Sequence, residues 1–576
     1  MTSDPAFSFA QPPDPAAEPP QRTKPGRAHH LGSPARARSG LRLVPADARS
    51  RWAAKPLGVP DTDPLSGLGS GSHRARRELV GLGVAEARHH LHVLGPTGTG
   101  KSTLLLRLVL AEAAAGRGVA VVDPHGDLAV RILERLPVSA RDRLILIDPD
   151  ETVAPPSWNV LDCPLGGGEL VTEHLVATLH RLYAPWWGPR LEDTLRAACL
   201  TLTHPATNAL HFHRSSEGNV AATLVDIPRL LTHPGFRART TAGVRRVDPG
   251  GLGAFWDAYD ALTPAQAAMV GGPVLSKLRA ITSRAFAVDL LGAAPSTIDM
   301  GAVLDGGILI ARLPKGILGE DTTRLVGSLL LTGLWQAATA RTGQPEAERL
   351  DASVVVDECH NFLHLPIGLD DALAEARSYR VSWVLAHQHL GQLPATMGAA
   401  IDANARNKVY FALSPADAHV LAKHTVPHLD ETDLAGLDGY QIACRLMSGS
   451  RPVRPFTLAT LPPPPALPGG LAAPRAAART RGLPRAARAE HAARRRRLAA
   501  SGAYQSLGAA GPPSDPGVGA ERLSGQGIQT GSPAQSPAHS LAHSPTPMQW
   551  AGDWATPDGA DPQVAPENAG EGRVRD

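Results

Sequence analysis

The chain has 576 residues, a formal net charge of +3, and Gly and Pro making up nearly a fifth of it. The near-neutral charge gives no whole-chain case for nucleic acid, and four cysteines (Cys163, Cys199, Cys359 and Cys444) without a CxxC pair argue against a cysteine zinc site or a disulfide scaffold. No apolar run reaches the ~18 residues of a membrane-spanning helix, and no apolar signal core opens the chain, so a protein of a reducing cytosol, touching membrane only through a partner, is expected.

Residues 1–85 carry "PPDPAAEPPQRTKPGRAHH" and "SGLGSGSHRARR" with no apolar periodicity, and read as a disordered tail. The first ordered pattern is "LHVLGPTGTGKSTLLLRLVLAEAAAGRG", a short apolar strand, a glycine loop and a helix. It fits G-x-x-x-x-G-K-[ST] in the strand-to-helix setting that this pattern requires. Glycine lets backbone N–H groups curl around phosphate oxygens at a helix N-terminus, where the dipole favours anions. Gly95, Pro96, Thr97, Gly98, Thr99, Gly100, Lys101, Ser102 and Thr103 are therefore the nucleotide-binding residues, with Lys101 reaching the β- and γ-phosphates and Ser102 on Mg²⁺. A second strand ends in "VVDPHGDL" and a third is "RLILIDPD". Asp123 and Asp127 stand at a strand's carboxyl end, either as ligands or as turn and helix-cap residues.

Residues 86–156 thus open an α/β core with a mainly parallel sheet, and residues 157–300 read as a mainly helical insertion, including "LVTEHLVATLHRLY" and "AFWDAYDAL". The core resumes over residues 301–460. "GGILIARLPKGILGED" is a strand with a glycine-rich turn, and Lys315 stands at its end on the nucleotide side of a parallel sheet. "ASVVVDECHNF" supplies the acidic strand, with Asp357 for the Mg²⁺ shell and Glu358 as general base for the attacking water. "VSWVLAHQHLGQL" runs from apolar residues into His387, Gln388 and His389, and Gln388 is the γ-phosphate sensor. His360, His364, His387 and His389 lack a clean metal-ligand spacing. Between these strands, Arg377 and Arg380 lie on a helix, as ordinary solvated arginines or as fingers for a neighbouring subunit's phosphate. Residues 461–576 return to tail composition, first Arg-rich, with nine Arg and one Glu between Leu471 and Ala500, then low-complexity.

Five stretches together, "GPTGTGKST", "VVDPHGDL", "WWGPRLEDTLRAACLTL", "LPKGILGEDTTRLVGSLLLTGLW" and the acidic and sensor strands, resemble the HerA/FtsK-like P-loop motor ATPases. More narrowly they resemble the TraG/TraD-type coupling proteins of conjugative DNA transfer through type IV secretion. The likeness runs from about Leu91 to Leu458 and reaches neither tail. It implies a RecA-like core, ATP and Mg²⁺ as cofactors, a homohexamer, and DNA moved through a central channel, with the strand type left open. It implies that Arg377 is a finger acting on the next subunit and that Gln388 is the family's polar sensor. A membrane-anchored secretion-channel subunit or a relaxase is the implied partner, with the protein cytoplasmic or recruited to the inner face of the membrane. Two departures stand out. No membrane helices precede the core, and Ala412 falls in the apolar run where relatives carry an arginine, leaving Arg406 or Lys408 as substitutes or the position idle. Two other readings remain: a secretion or assembly ATPase indifferent to DNA, and a non-hydrolysing nucleotide-gated scaffold.

Overall fold

The computed structural model describes residues 55–60, 80–163, 167–207, 214–215, 218–219 and 221–500. The tails expected at residues 1–54, 61–79 and 501–576 lie outside these. An 11-stranded sheet runs through the core. From one edge its strands are Val80–Leu82, Lys55–Pro60, Phe456–Thr460, Gln441–Arg445, Asn407–Tyr410, Leu91–Leu94, Val381–His387, Ala352–Val356, Gly118–Asp123, Ile308–Arg312 and Leu144–Ile147. The seven from Asn407–Tyr410 onward are mutually parallel, and the remaining pairings are antiparallel.

The parallel strands are buried on both faces because alternate side chains enter different layers. Val119 and Val121 join the core beneath the helix Lys101–Ala114, whereas Ala120 and Val122 join the layer holding the helix Glu320–Ala340. That second layer continues into the insertion. Its described helices, from Gly168–Leu182 to Ala285–Leu291, bury Leu195, Trp256 and Leu278 in the same apolar cluster as Leu329 and Trp335. Trp256 also donates its indole N–H to Thr201 Oγ1 at 2.8 Å, which satisfies its one polar atom in the interior.

Three segments assigned to the tails belong to the fold. Lys55–Pro60 pairs with Phe456–Thr460 and Val80–Leu82. This pairing is supplied by an open sheet edge, so no local apolar alternation announces it. On the other side, residues 461–500 are not a free Arg-rich tail. They form the helices Ala472–Arg479 and Arg485–Ala500, built from two good helix formers, Ala and Arg. Arg475 pairs with the fully buried Asp148 side chain at 2.8 Å and Arg479 with Glu151 at 2.7 Å. Arg488 donates to the carbonyls of Leu483 (2.9 Å), Pro156 (3.0 Å), Pro155 and Asp289. Much of the positive charge that composition assigned to solvent is therefore used inside the fold.

Candidate nucleotide site

Strand order builds the site. The sensor strand Val381–His387 lies between the P-loop strand Leu91–Leu94 and the acidic strand Ala352–Val356, in parallel register with both. All three therefore deliver their carboxyl ends to one edge of the sheet. The loop leaving the first strand takes positive φ at Gly98 (86°) and Gly100 (116°), where L side chains are strained. A Cβ on Gly100 would also sit 2.8 Å from Tyr440 Cδ1. The helix then starts at Lys101 with no side-chain cap, leaving its first N–H groups free to face an anion.

Lys101, Asp357, Glu358 and Gln388 meet in one cleft of about 490 Å³. Lys101 Nζ lies 2.8 Å from Glu358 Oε1 and 3.8 Å from Asp357 Oδ1. Gln388 Nε2 donates to Glu358 Oε1 at 2.9 Å, and Gln392 Nε2 donates to Glu358 Oε2 at 3.2 Å. The Glu358 carboxylate thus stands where an anion is held, between an ammonium and two amides. Burial would raise its pKa, but the Lys101 charge and the hydrogen bonds from Lys101 and Gln388 outweigh it, and the group falls below its ordinary value. Asp357 goes the other way. Burial pushes it up to about 6 against the Lys101 charge, helped by the negative charges of Asp123 and Glu358. A buried carboxyl lacking a full counter-charge, beside a lysine and a loop of backbone donors, fits a divalent cation with a polyphosphate. Ser102 and Asp357 are the residues that would hold the metal.

The other expected residues divide. Asp123 lines the cleft and also accepts from the N–H of His125 and of Ala129, both at 2.9 Å, fixing the turn and the helix that follow its strand. Asp127 lines the cleft. Arg377 is exposed and follows Ala376 at the amino end of the sensor strand, the opposite end from the cleft, so it takes no part in its own subunit's site. Arg406 stands at the same end and donates to the Ser450 carbonyl at 3.2 Å. Lys408 is no substitute finger either. It is buried and committed to Asp402, at 3.1 Å to Oδ1 and 2.8 Å to the carbonyl. Among the described residues no group of three or more His, Cys, Asp or Glu is placed to hold a metal ion. His387 and His92 face each other through Nε2 atoms 2.7 Å apart, and burial lowers the pKa of both. The His389 carbonyl, 3.0 Å from His387 Nδ1, can only accept, so His387 carries its proton there and His92 donates across the pair.

Among the residues that escaped sequence reading are Gln392, which donates to Glu358, and the cleft-lining Arg131 and Tyr440. Arg131 Nη2 donates to Thr103 Oγ1 at 3.0 Å, and the Tyr440 N–H donates to the Thr99 carbonyl at 2.8 Å. Gln392 had a signal, four positions beyond Gln388 in a polar strand end. The other two had none, since only the fold brings them to the loop.

A phosphate loop, an acidic pair and a sensor strand between them define the class of P-loop nucleotide hydrolases. Comparison with known proteins adds to this. Residues 351–424 match the family model described as the TraM recognition site of TraD and TraG, so the likeness to TraG/TraD-type coupling proteins holds across the acidic strand, its helix and the sensor strand. Among solved structures, the unbound bacterial conjugative coupling protein TrwBdeltaN70 is similar at 18% identity, covering 67% of this chain and 90% of that one, with a TM-score of 0.48. Plasmid coupling protein TrwB in complex with ADP and Mg²⁺ is 16% identical over 73% of this chain and 97% of that one (TM-score 0.49). TrwB with a non-hydrolysable ATP analogue is 17% identical over 66% and 86% (TM-score 0.47). A search of curated proteins finds no match.

Proposed function

We propose that the chain is an ATP-driven DNA-translocating motor of the coupling-protein type, acting in conjugative DNA transfer or a related type IV secretion process. The observation that carries the reading is the Lys101–Glu358–Gln388 constellation, lying partly within the segment that matches the TraD and TraG model. Backbone amides of the P-loop and Lys101 hold the β- and γ-phosphates of ATP. Bound Mg²⁺ would neutralise charge on those oxygens. As phosphate arrives, the Lys101 ammonium exchanges Glu358 for it. The released carboxylate then orients water and takes its proton, and Gln388 reports the γ-phosphate to the sensor strand.

Arg377, exposed at the end of the sheet opposite its own cleft, supports a trans-acting role in a homohexamer that passes DNA through its centre, whereas Arg380 is committed within its own subunit, donating to the Arg349 carbonyl at 2.9 Å. The partner is a membrane-anchored channel subunit, a relaxase or a TraM-like protein, and the motor is cytoplasmic until recruited. No helix among the described residues is long and apolar enough to cross a membrane. The test is ATP hydrolysis by the full chain without DNA, with single strands and with duplex, beside Lys101→Ala and Glu358→Gln. Stimulation by either DNA, abolished in both variants, is expected. Hydrolysis indifferent to DNA would make the protein a secretion ATPase, and no hydrolysis would leave a scaffold.

A further inference from the structure

The turn Pro314–Gly319 belongs to a stretch that the mechanism leaves unused, yet it is wired to the catalytic base. Glu358 holds a left-handed backbone, φ 48° and ψ 53°, which a residue with a side chain adopts only when its surroundings impose it. The imposing group is Asn361, whose side chain is almost fully buried. The Glu358 carbonyl accepts from Asn361 Nδ2 at 2.8 Å and from the Asn361 backbone N–H at 3.1 Å. With Nδ2 committed to a carbonyl, Asn361 Oδ1 needs a donor, and Lys315 Nζ supplies it at 2.6 Å. A carbonyl can only accept and an ammonium can only donate, so the chain of bonds permits one orientation of the amide. Lys315 is itself placed by its backbone N–H, which donates to the Pro124 carbonyl at 3.0 Å. It does not line the nucleotide cleft.

We propose that Lys315 is a positioning residue for hydrolysis, acting through Asn361 to hold Glu358 in the left-handed conformation that sends its carboxylate to Lys101 and Gln388. Without the ammonium, Asn361 Oδ1 is left buried and unpaired, and the amide no longer has a preferred orientation. The turn also exposes Ile317, 54% accessible, and Gly316. The proposal rests on the reading of Glu358 as the base.

The test uses the full chain with Lys315→Met, Lys315→Arg and Asn361→Asp, the last keeping the pairing with Lys315 but losing the amide donor. Three quantities are read: amide exchange of residues 357–362 without nucleotide, kcat for ATP, and affinity for a fluorescent ADP, with thermal melting as the folding control. Lys315→Met and Asn361→Asp are expected to speed exchange at 357–362 and lower kcat, each about tenfold or more, with ADP affinity changed less than about twofold. Lys315→Arg, which keeps a donor, should recover most of both. Unchanged exchange with kcat near wild type overturns the proposal. So does a loss of ADP affinity matching the loss of kcat, which would make Lys315 a phosphate ligand. If the wild type hydrolyses no ATP but exchange still rises in the variants, the motor reading falls and the clamp on Glu358 stands.

Discussion

Replacing Asp357 with Asn should stabilise the nucleotide-free protein at neutral pH while abolishing its chemistry. Asp357 is buried, and its pKa is pushed from an ordinary 3.8 up to about 6. The folded state therefore binds more protons than the unfolded state between these values. Stability falls as pH rises through that window, and the loss is complete above it. At ~1.4 kcal/mol per pH unit the gap amounts to about 3 kcal/mol. Asparagine keeps an oxygen to accept the Glu358 N–H, now 3.1 Å from Asp357 Oδ1, and carries no charge to desolvate. Urea titrations at pH 4.5, 6 and 8, followed by tryptophan fluorescence, should show Asp357→Asn only about 1 kcal/mol more stable than wild type at the lowest pH. The variant should become progressively more stable as pH rises, reaching roughly 3 kcal/mol at pH 8. A variant less stable than wild type at pH 8, or a difference that does not change with pH, would refute the reasoning.

Other consequences are as direct. Lys101→Ala should lower ATP hydrolysis by about 10²-fold or more, measured as phosphate release, because it removes a cation placed for developing charge. Gly327→Ala should cost roughly 1–3 kcal/mol in thermal or urea unfolding, since the new Cβ would lie 2.3 Å from Cδ1 of the fully buried Phe362, four residues beyond Glu358. Arg488→Ala should destabilise by about 1–3 kcal/mol, since carbonyls of the core lose their donor. An unchanged melt would instead return the Arg-rich segment to the solvated tail that composition suggests.

What the sequence disclosed, and what it hid, follows from where each signal resides. Lys101, Asp357, Glu358 and Gln388 were legible because each follows a strand whose apolar run and turn chemistry are local, Lys101 through the glycine loop and the others directly, and parallel pairing then forces them together. Asp123 was ambiguous because a carboxylate that caps a turn and one that faces a ligand look alike in sequence, and the fold gives it both two backbone donors and a place in the cleft lining. Lys408 looked available until the fold placed Asp402 beside it. Lys55–Pro60 and the helices within residues 461–500 were missed for a shared reason. Their order comes from an open sheet edge and from buried acids such as Asp148, partners that lie hundreds of residues away.

The most direct test of the account is displacement of a bound block from DNA: streptavidin from biotinylated single strands, and a third strand from a triplex on duplex. The account predicts that full-length protein with ATP and Mg²⁺ clears at least one of these blocks, and that Glu358→Gln clears neither. Rapid ATP hydrolysis with both blocks left in place would contradict it.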